Sequence, residues 1–287
     1  MASNVNLHNS KAVPKDEYYT LYEDIDKELS QYSQHLEGKT ILCPCDDADS
    51  NFFLWFANNF ERLNLKEVIA TSFKYSRITG SQQYLNKPAI TLRMSASRCE
   101  VVEQWGDGDF RSEETWDLIA EADVIATNPP FSLFDPMLRM LFKRDKKFML
   151  VGNKNAIAYA AVFPYFLHKH LRLGLTTPKA FRSAYSGKSE SVAAVWYSNF
   201  MDLPWPEPVP LVKTYRPDLY PEYDNYPAIS VGRTADIPKD YDGPMGVPVS
   251  YMSRHNPSQF NLLGSVGDAR LENQLLYSRL IVQARKL

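Results

Sequence analysis

The sequence predicts an α/β fold in which a mainly parallel, doubly wound sheet is followed by an irregular C-terminal extension. Two observations carry that expectation. Short apolar runs alternate with amphipathic helical segments for about 130 residues, the pattern of strands joined by crossover helices. After Met201 the texture changes, and eight of the nineteen prolines crowd into Pro204 to Pro238 among many tyrosines and little helical periodicity. Proline denies a backbone donor to any central strand, so this stretch reads as strand-poor chain wrapped onto a core.

Residues 1–14 are polar and aperiodic and read as a loose arm. From Tyr22 to Gly38, Ile25, Leu29, Tyr32 and Leu36 share one helical face, and Gly38 stops the helix. Lys39 to Cys43 is a short apolar strand. Ser50 then stands as the N-cap of a helix that buries Phe52, Phe53, Phe56, Phe60 and Leu63. Val68 to Ser72 is the next strand. Asp123 to Thr127 is a strand ending at Asn128, Phe134 to Lys143 a helix, Lys147 to Val151 a strand and Ser191 to Ser198 a late one. The expected organisation is an arm over 1–14, a catalytic domain over 15–200 and an extension over 201–287.

A chain of 287 residues, 44% apolar and 23% charged, can bury an adequate core, and one compact body is expected. Its apolar stretches stop short of the ~18 residues that span a bilayer, and Met1 to Asn6 lacks the basic and apolar regions of a secretion signal. A cytoplasmic location away from membranes follows as the expectation. Cys43, Cys45 and Cys99 form an odd set whose close pair is spaced C-x-C, which argues against structural zinc and a disulfide framework, so no metal is expected. The formal charge of −2 does not advertise nucleic acid. A nucleic-acid role would need Lys and Arg gathered on one face.

The strand 123–127 delivers Asn128-Pro129-Pro130-Phe131 at its C-terminal edge, where open parallel sheets place their ligands. A plain turn is the alternative reading, because Asn-Pro and Pro-Pro both favour turns. The residue types also suit gripping a planar amine. Such a nitrogen is a poor nucleophile because its lone pair is delocalised into the ring, whereas a sulfonium methyl is already a strong electrophile. The Asn128 side-chain carbonyl and the Pro129 backbone carbonyl can each accept one amino hydrogen and aim the lone pair. The prolines stiffen the loop, and Phe131 can stack on the base for about 1–3 kcal/mol.

Around this loop lie Lys15-Asp16-Glu17-Tyr18-Tyr19-Thr20 before the first helix, Cys45-Asp46-Asp47 with Ser50-Asn51-Phe52-Phe53, and Gly108-Asp109-Phe110-Arg111-Ser112. Near the end stand Tyr241-Asp242-Gly243-Pro244-Met245-Gly246-Val247-Pro248 and Asn256-Pro257-Ser258-Gln259-Phe260. Together with Asn128 to Phe131, these strings resemble the EcoRI-type adenine-specific DNA methyltransferases over about residues 15–285. The resemblance implies a Rossmann-like class I methyltransferase that uses S-adenosylmethionine to methylate adenine N6 in double-stranded DNA, with a cognate restriction endonuclease as a partner acting on the same site. It implies that Lys15, Tyr19 and Thr20 meet the methionine part of the cofactor, with Asn128 beside them. Cys45, Asp46 and Asp47 stand where relatives have a glycine-rich loop, and Asp46 or Asp47 can bind the ammonium group or merely open the loop that Ser50 caps. The resemblance further implies that Asp109 and Phe110 meet the adenine of the cofactor, that Tyr185 and Lys188 lie in a loop beside the target base, and that the extension recognises the target, where Lys213, Arg216, Arg233, Lys239 and Arg254 can meet phosphates or serve as solvated surface charge. The chain departs from the pattern in lacking G-x-G after the first strand and an acidic residue after Thr71.

Loops of this type also serve methylation of cytosine N4, of guanine N2 in ribosomal RNA and of protein glutamine, and geometry alone does not separate them. The C-terminal strings favour the DNA family. A non-catalytic DNA-binding module is the reading from another class, and the intact Asn128 and Phe131 count against it.

Overall fold

The structure is a computed structural model that describes residues 18–71, 73–74, 88–183 and 188–285. The N-terminal arm, Lys15, Ser72 and Tyr185 lie outside the described residues. The chain divides into two compact units, Met1–Asn153 with Gly174–Asn199 and Lys154–Leu173 with Phe200–Leu287, where composition alone pointed to a single body.

In the first unit the strands β2 (Thr40–Cys43), β3 (Glu67–Thr71), β4 (Ile90–Met94), β5 (Cys99–Glu103), β6 (Val124–Thr127), β7 (Lys147–Asn153) and β10 (Ala194–Ser198) run in the order β5-β4-β3-β2-β6-β7-β10. The ladders β3/β2, β2/β6 and β6/β7 are parallel, with Ile41 opposite both Val68 and Val124. The flanking ladders β5/β4, β4/β3 and β7/β10 are antiparallel. The sheet is therefore mixed rather than mainly parallel. The sequence signal was blind to β4 and β5 because β5 is an exposed edge, carrying Val101 and Val102 outward, and shows neither a buried apolar run nor a clean alternation. A second, antiparallel layer joins β1 (Tyr18–Thr20), β8 (Phe181–Ser183) and β9 (Ser189–Glu190) in the order β1-β8-β9.

The first helical segment buries Ile25, Leu29, Tyr32 and Leu36 completely, as its spacing requires, but it is not one helix. The helix α1 (Tyr22–Leu29) tightens to a 3-10 turn at Ser30–Tyr32 and resumes as a short helical turn to Leu36. Ser30 donates to the Asp26 carboxylate, and the Ser33 hydroxyl donates back to the Ser30 carbonyl and so competes with the helical ladder there. Gly38 ends the segment at φ +69°, a left-handed conformation that suits glycine. The Ser50 hydroxyl accepts from the Phe53 amide at 3.1 Å and starts α2 (Asn51–Asn58). Trp55 is buried in that helix beside the expected phenylalanines. Ser112 caps α3 (Glu113–Glu121) in the same way, and α4 (Phe134–Lys143) follows the loop Asn128 to Phe131.

In the second unit the strands β11 (Glu222–Tyr223), β12 (Tyr226–Ser230), β13 (Met245–Pro248), β14 (Phe260–Val266) and β15 (Arg279–Ala284) form a sheet in the order β11-β12-β13-β15-β14. This corrects the irregular, strand-poor reading of the C-terminal extension. The prolines from Pro204 to Pro221 do fall in chain without extended strands, but beyond them the apolar runs Ala228-Ile229 and Leu280-Ile281-Val282 are buried as strands. Buried Arg172 donates to the carbonyls of Leu203 and Pro204 and lies over the Trp205 ring, holding the proline-rich run to this unit's core. Among the described residues no helix is long and apolar enough to cross a membrane.

Candidate active site

The parallel strands β2, β3, β6 and β7 end along one edge of the sheet, and there the residues of interest meet. Asn128 leaves β6 half-buried. Its amide nitrogen donates to the Tyr18 carbonyl at 2.6 Å, while its side-chain oxygen is buried with no hydrogen-bond partner among the described residues. One end of the amide is thus spent on orientation and the other is left as an acceptor. Pro129 is buried and Pro130 half-buried, and the Leu133 amide donates to the Pro130 carbonyl to close a tight turn. Phe131 is half-buried with its ring 5.8 Å from that of Tyr18, tilted by 34°. The exit of the loop is set by Phe134, which packs on Tyr197 at 4.5 Å and over Gly152, where any Cβ would come within 2.5 Å of the Phe134 ring.

Behind Asn128 stands Asp46. The Thr127 hydroxyl donates to its carboxylate at 2.6 Å, and the Ser50 side chain, whose oxygen caps α2, also favours the ionised carboxylate. The Asp46 amide donates to the Thr71 carbonyl, so the ends of β2, β3 and β6 and the start of α2 converge on one residue. Burial pushes the Asp46 carboxyl up to about 7, with neighbouring Asp47 adding to the rise and the two hydroxyls opposing it. Asp47 is less enclosed; desolvation raises its carboxyl too, and it accepts from the Asp49 amide at 3.0 Å. Cys45 is half-buried beside them.

Tyr18 was not singled out from sequence, because its part is played by a backbone carbonyl, which leaves no signature in residue type. Tyr19 and Thr20 lie on the same strand, opposite Arg182 and Phe181 of β8. The Thr20 carbonyl accepts from Asn51 at 2.7 Å, and its buried hydroxyl oxygen has no hydrogen-bond partner among the described residues. Two carboxylates of α1 also escaped the sequence reading. Glu28 is wholly buried and accepts from the Tyr32 hydroxyl, the Leu175 and Thr176 amides and the Thr176 hydroxyl at 2.6–2.9 Å. Asp24 accepts from the Lys179 amide at 2.8 Å. Both acids fasten the chain that enters β8, and acids on a helix face look like solvated charge in sequence.

Asp109 and Phe110 lie before α3 rather than in this cluster of contacts. Both oxygens of Asp109 take Arg111, at 2.8 and 2.6 Å, and Phe110 is buried with the Arg111 guanidinium 5.7 Å from its ring. Gly108 turns this loop at φ +75°. Lys188 is exposed, and its carbonyl accepts from the Ser183 amide across the β8–β9 turn. In the second unit Arg216 and Arg233 are held by Asp218 and Asp236, while Lys213 and Lys239 sit side by side, the Lys239 amide donating to the Lys213 carbonyl.

A proline-stiffened asparagine loop thus stands at the edge of a mixed α/β sheet with a free acceptor, and comparison with known proteins gives the class of the chain. Residues 6–284 match the family described as "Adenine-specific methyltransferase EcoRI". The chain is 34% identical to the Type II methyltransferase M.EcoRI of Escherichia coli, over 100% of this chain and 98% of that protein. It is 29% identical to M.MgeORF184P of Mycoplasma genitalium, over 90% of this chain and 85% of that protein. It is 30% identical to M.MpnI of Mycoplasma pneumoniae, over 90% and 84%. No solved structure matches. The class is that of site-specific adenine methyltransferases of DNA. Within it, the chain belongs to the EcoRI adenine-specific methyltransferase family.

Proposed function

We propose that the chain methylates N6 of an adenine rotated out of duplex DNA, with S-adenosylmethionine as methyl donor and Asn128-Pro129-Pro130-Phe131 as the catalytic loop. On this reading the first unit's sheet is a Rossmann-like class I framework, residues 15–200 carry the chemistry, and 201–287 recognise the target. The observation that carries it is the Asn128 amide, fixed through its nitrogen and unfilled at its oxygen.

The residues present fit the donor. The buried Thr20 hydroxyl oxygen lacks a hydrogen-bond partner among the described residues, and an unmet buried polar atom is what a bound polar ligand satisfies. Tyr19 and Thr20 would hold the methionine part, Asp47 the ammonium group and Cys45 the adjoining edge, while Asp109 and Phe110 would meet the adenine. Asp46 is already engaged by Thr127 and Ser50, which favours Asp47 for the ammonium. When bound, S-adenosylmethionine supplies an electrophilic methyl group on positively charged sulfur.

The chain's own work is then to aim the amine. Asn128 Oδ1 accepts one hydrogen of the adenine NH2 and the Pro129 carbonyl the other, which draws the nitrogen lone pair out of conjugation and orients it. No general base is required beforehand, since the nitrogen becomes acidic once alkylated and releases its proton to solvent. Rotating the base out of the duplex costs a few kcal/mol, and stacking on Phe131 offsets part of it. Tyr185 and Lys188 would border the flipped base. A restriction endonuclease cutting the same site would be the matching partner, with both acting on cytoplasmic DNA.

The test is transfer of tritiated methyl to DNA followed by nucleoside analysis. Label is expected in N6-methyladenine, with Asn128→Ala abolishing transfer while leaving donor binding within about threefold. Label confined to cytosine, RNA or protein would overturn the proposal.

A further inference from the structure

We propose that Asp46 is a positioning residue for the catalytic asparagine, acting through its hydrogen bond to Thr127 rather than by touching the methyl donor. The inference rests on the reading of Asn128 given above. Asp46 and Thr127 are separated by 81 positions in sequence, yet the Thr127 hydroxyl meets the Asp46 carboxylate at 2.6 Å with both residues buried. Thr127 is the last residue of β6 and the peptide neighbour of Asn128. The register of parallel neighbours β2 and β6 pairs Ile41 with Val124 and Leu42 with Ile125 and stops before Cys43 and Thr127. Beyond the ladder the Asp46–Thr127 bond takes over as the lateral tie between these two strand ends. Without it the departure angle of Asn128 would depend on the Tyr18 carbonyl and on the pairing of Thr127 with Leu150 of β7, with no tie left on the β2 side.

The second attachment of Asp46 gives the tie its stiffness. Ser50, whose side chain favours the ionised carboxylate, caps α2, whose Asn51 donates to the Thr20 carbonyl two residues from Tyr18. The chain of contacts Thr127–Asp46–Ser50–Asn51–Thr20 thus closes on the strand whose carbonyl holds Asn128, and it runs from one side of the catalytic amide to the other. Ionised Asp46 can only accept, as it does from the Thr127 hydroxyl. Where protonated Asp46 donates instead, that hydroxyl has to turn and the ring of contacts loosens. The titratable groups that face it are few: Asp47 beside it raises its carboxyl, and Cys43 on β2 is a thiol that burial holds well above its ordinary value and therefore neutral. Thr127, Ser50 and Thr71, from the other elements packed against it, do not titrate in this range.

The test uses the full chain with cognate DNA and reads single-turnover methyl transfer beside donor affinity measured calorimetrically. Thr127→Val keeps shape and removes the hydroxyl. It should slow transfer about tenfold, the loss of one hydrogen bond's worth of alignment, while donor and DNA dissociation constants stay within about twofold. Thr127→Ser should restore at least half the rate. Asp46→Asn, which cannot ionise, should abolish the rise in wild-type transfer rate expected as the pH passes about 7. A Thr127→Val enzyme as fast as wild type, or one whose loss lies wholly in donor affinity, overturns the inference; if Thr127→Val fails to fold, a Thr127→Ser enzyme with an unaltered rate supports it and a slow one overturns it. Should Asn128→Ala remain active, the underlying reading fails and this inference falls with it; inactive Asn128→Ala alongside fully active Thr127→Val sinks this inference alone.

Discussion

Asn128 can grip a substrate only if its amide keeps one orientation, and the Tyr18 carbonyl decides which. A carboxylate at the same position would place an acceptor against that carbonyl at 2.6 Å, two oxygens facing each other without a hydrogen between them. We predict that Asn128→Asp, which keeps an oxygen for the amine, still lowers single-turnover transfer by about tenfold or more, and that duplex affinity changes little. Wild-type rates in that variant would remove the Tyr18 contact from the explanation. Phe131 belongs to the same scale. Its ring leans on Tyr18 and remains half-exposed, so its truncation should weaken binding of cognate DNA, by an amount comparable to one base stack of about 1–3 kcal/mol, more than it perturbs folding. Titrating duplex into Phe131→Ala and Phe131→Tyr proteins would check this, the tyrosine variant retaining most of the affinity. The N-P-P-F string and its strand were legible in sequence because both are local. The partner of Asn128 was not, since a backbone carbonyl from 110 positions away is visible only after folding.

At the level of elements, the loop between β6 and α4 is held at both ends by packing. Gly152 of β7 lies under Phe134, so a methyl group there must drive the ring aside. Gly152→Ala should therefore cost roughly 1–3 kcal/mol in denaturant unfolding and slow methyl transfer as well, because α4 begins three residues after Phe131. The helix α1 does more than cover the sheet. Glu28 gathers four donors, three of them from Leu175 and Thr176, and Asp24 takes the Lys179 amide, so the chain running into β8 hangs from this one helix. Replacing Glu28 with Gln turns an acceptor into a donor facing other donors. The expected loss is about 1–3 kcal/mol, with faster amide exchange at Leu175 and Thr176 than elsewhere in the unit. Unchanged exchange there would mean that the loop is held by something else. Helix boundaries at Ser50 and Phe134 could be read from caps and periodicity, whereas the interruption of α1 at Ser30–Tyr32 could not, because hydroxyl back-bonding within a good amphipathic pattern does not alter that pattern.

On the scale of the molecule, the two units should answer acid in opposite senses. Asp46 holds its proton to about 7 when folded, against about 3.8 in the unfolded chain. The stability it contributes is therefore fully present below the unfolded value and is lost as pH rises through 7. His255, in the second unit, is pushed down to about 4, first by burial and then by Lys169, with its ring against the Tyr251 hydroxyl at 3.2 Å. The unfolded imidazole protonates near 6.5, so this unit loses stability as pH falls from 6.5 toward 4. Hydrogen exchange at pH 5 and pH 8 should show the core strands of the second unit less protected at pH 5, and the core strands of the first unit, away from the Asp46 contacts, more protected. His255→Gln should flatten the first response and Asp46→Asn the second. Parallel changes in both units would contradict the assignment.

Taken alone, the sequence determined the short apolar strands at the centre of the sheet, the cap that starts α2 and the position of the Asn128–Phe131 loop at a strand end, because each depends on neighbours within a few residues. It also carried the family, through strings of Pro, Gly and Asn whose combination is rare. Only the folded chain decided the antiparallel flanks at β4, β5 and β10 and the strands of the second unit, because pairing across a sheet depends on which edges remain open after the core has closed. It alone decided which of the two aspartates after β2 faces inward. Asp46 and Asp47 are chemically identical neighbours, and the register of one loop gives the first to Thr127 and Ser50 and leaves the second nearer solvent. Hydrogen bonds between residues some eighty or more positions apart arise from the geometry of parallel strand ends, which no local pattern encodes.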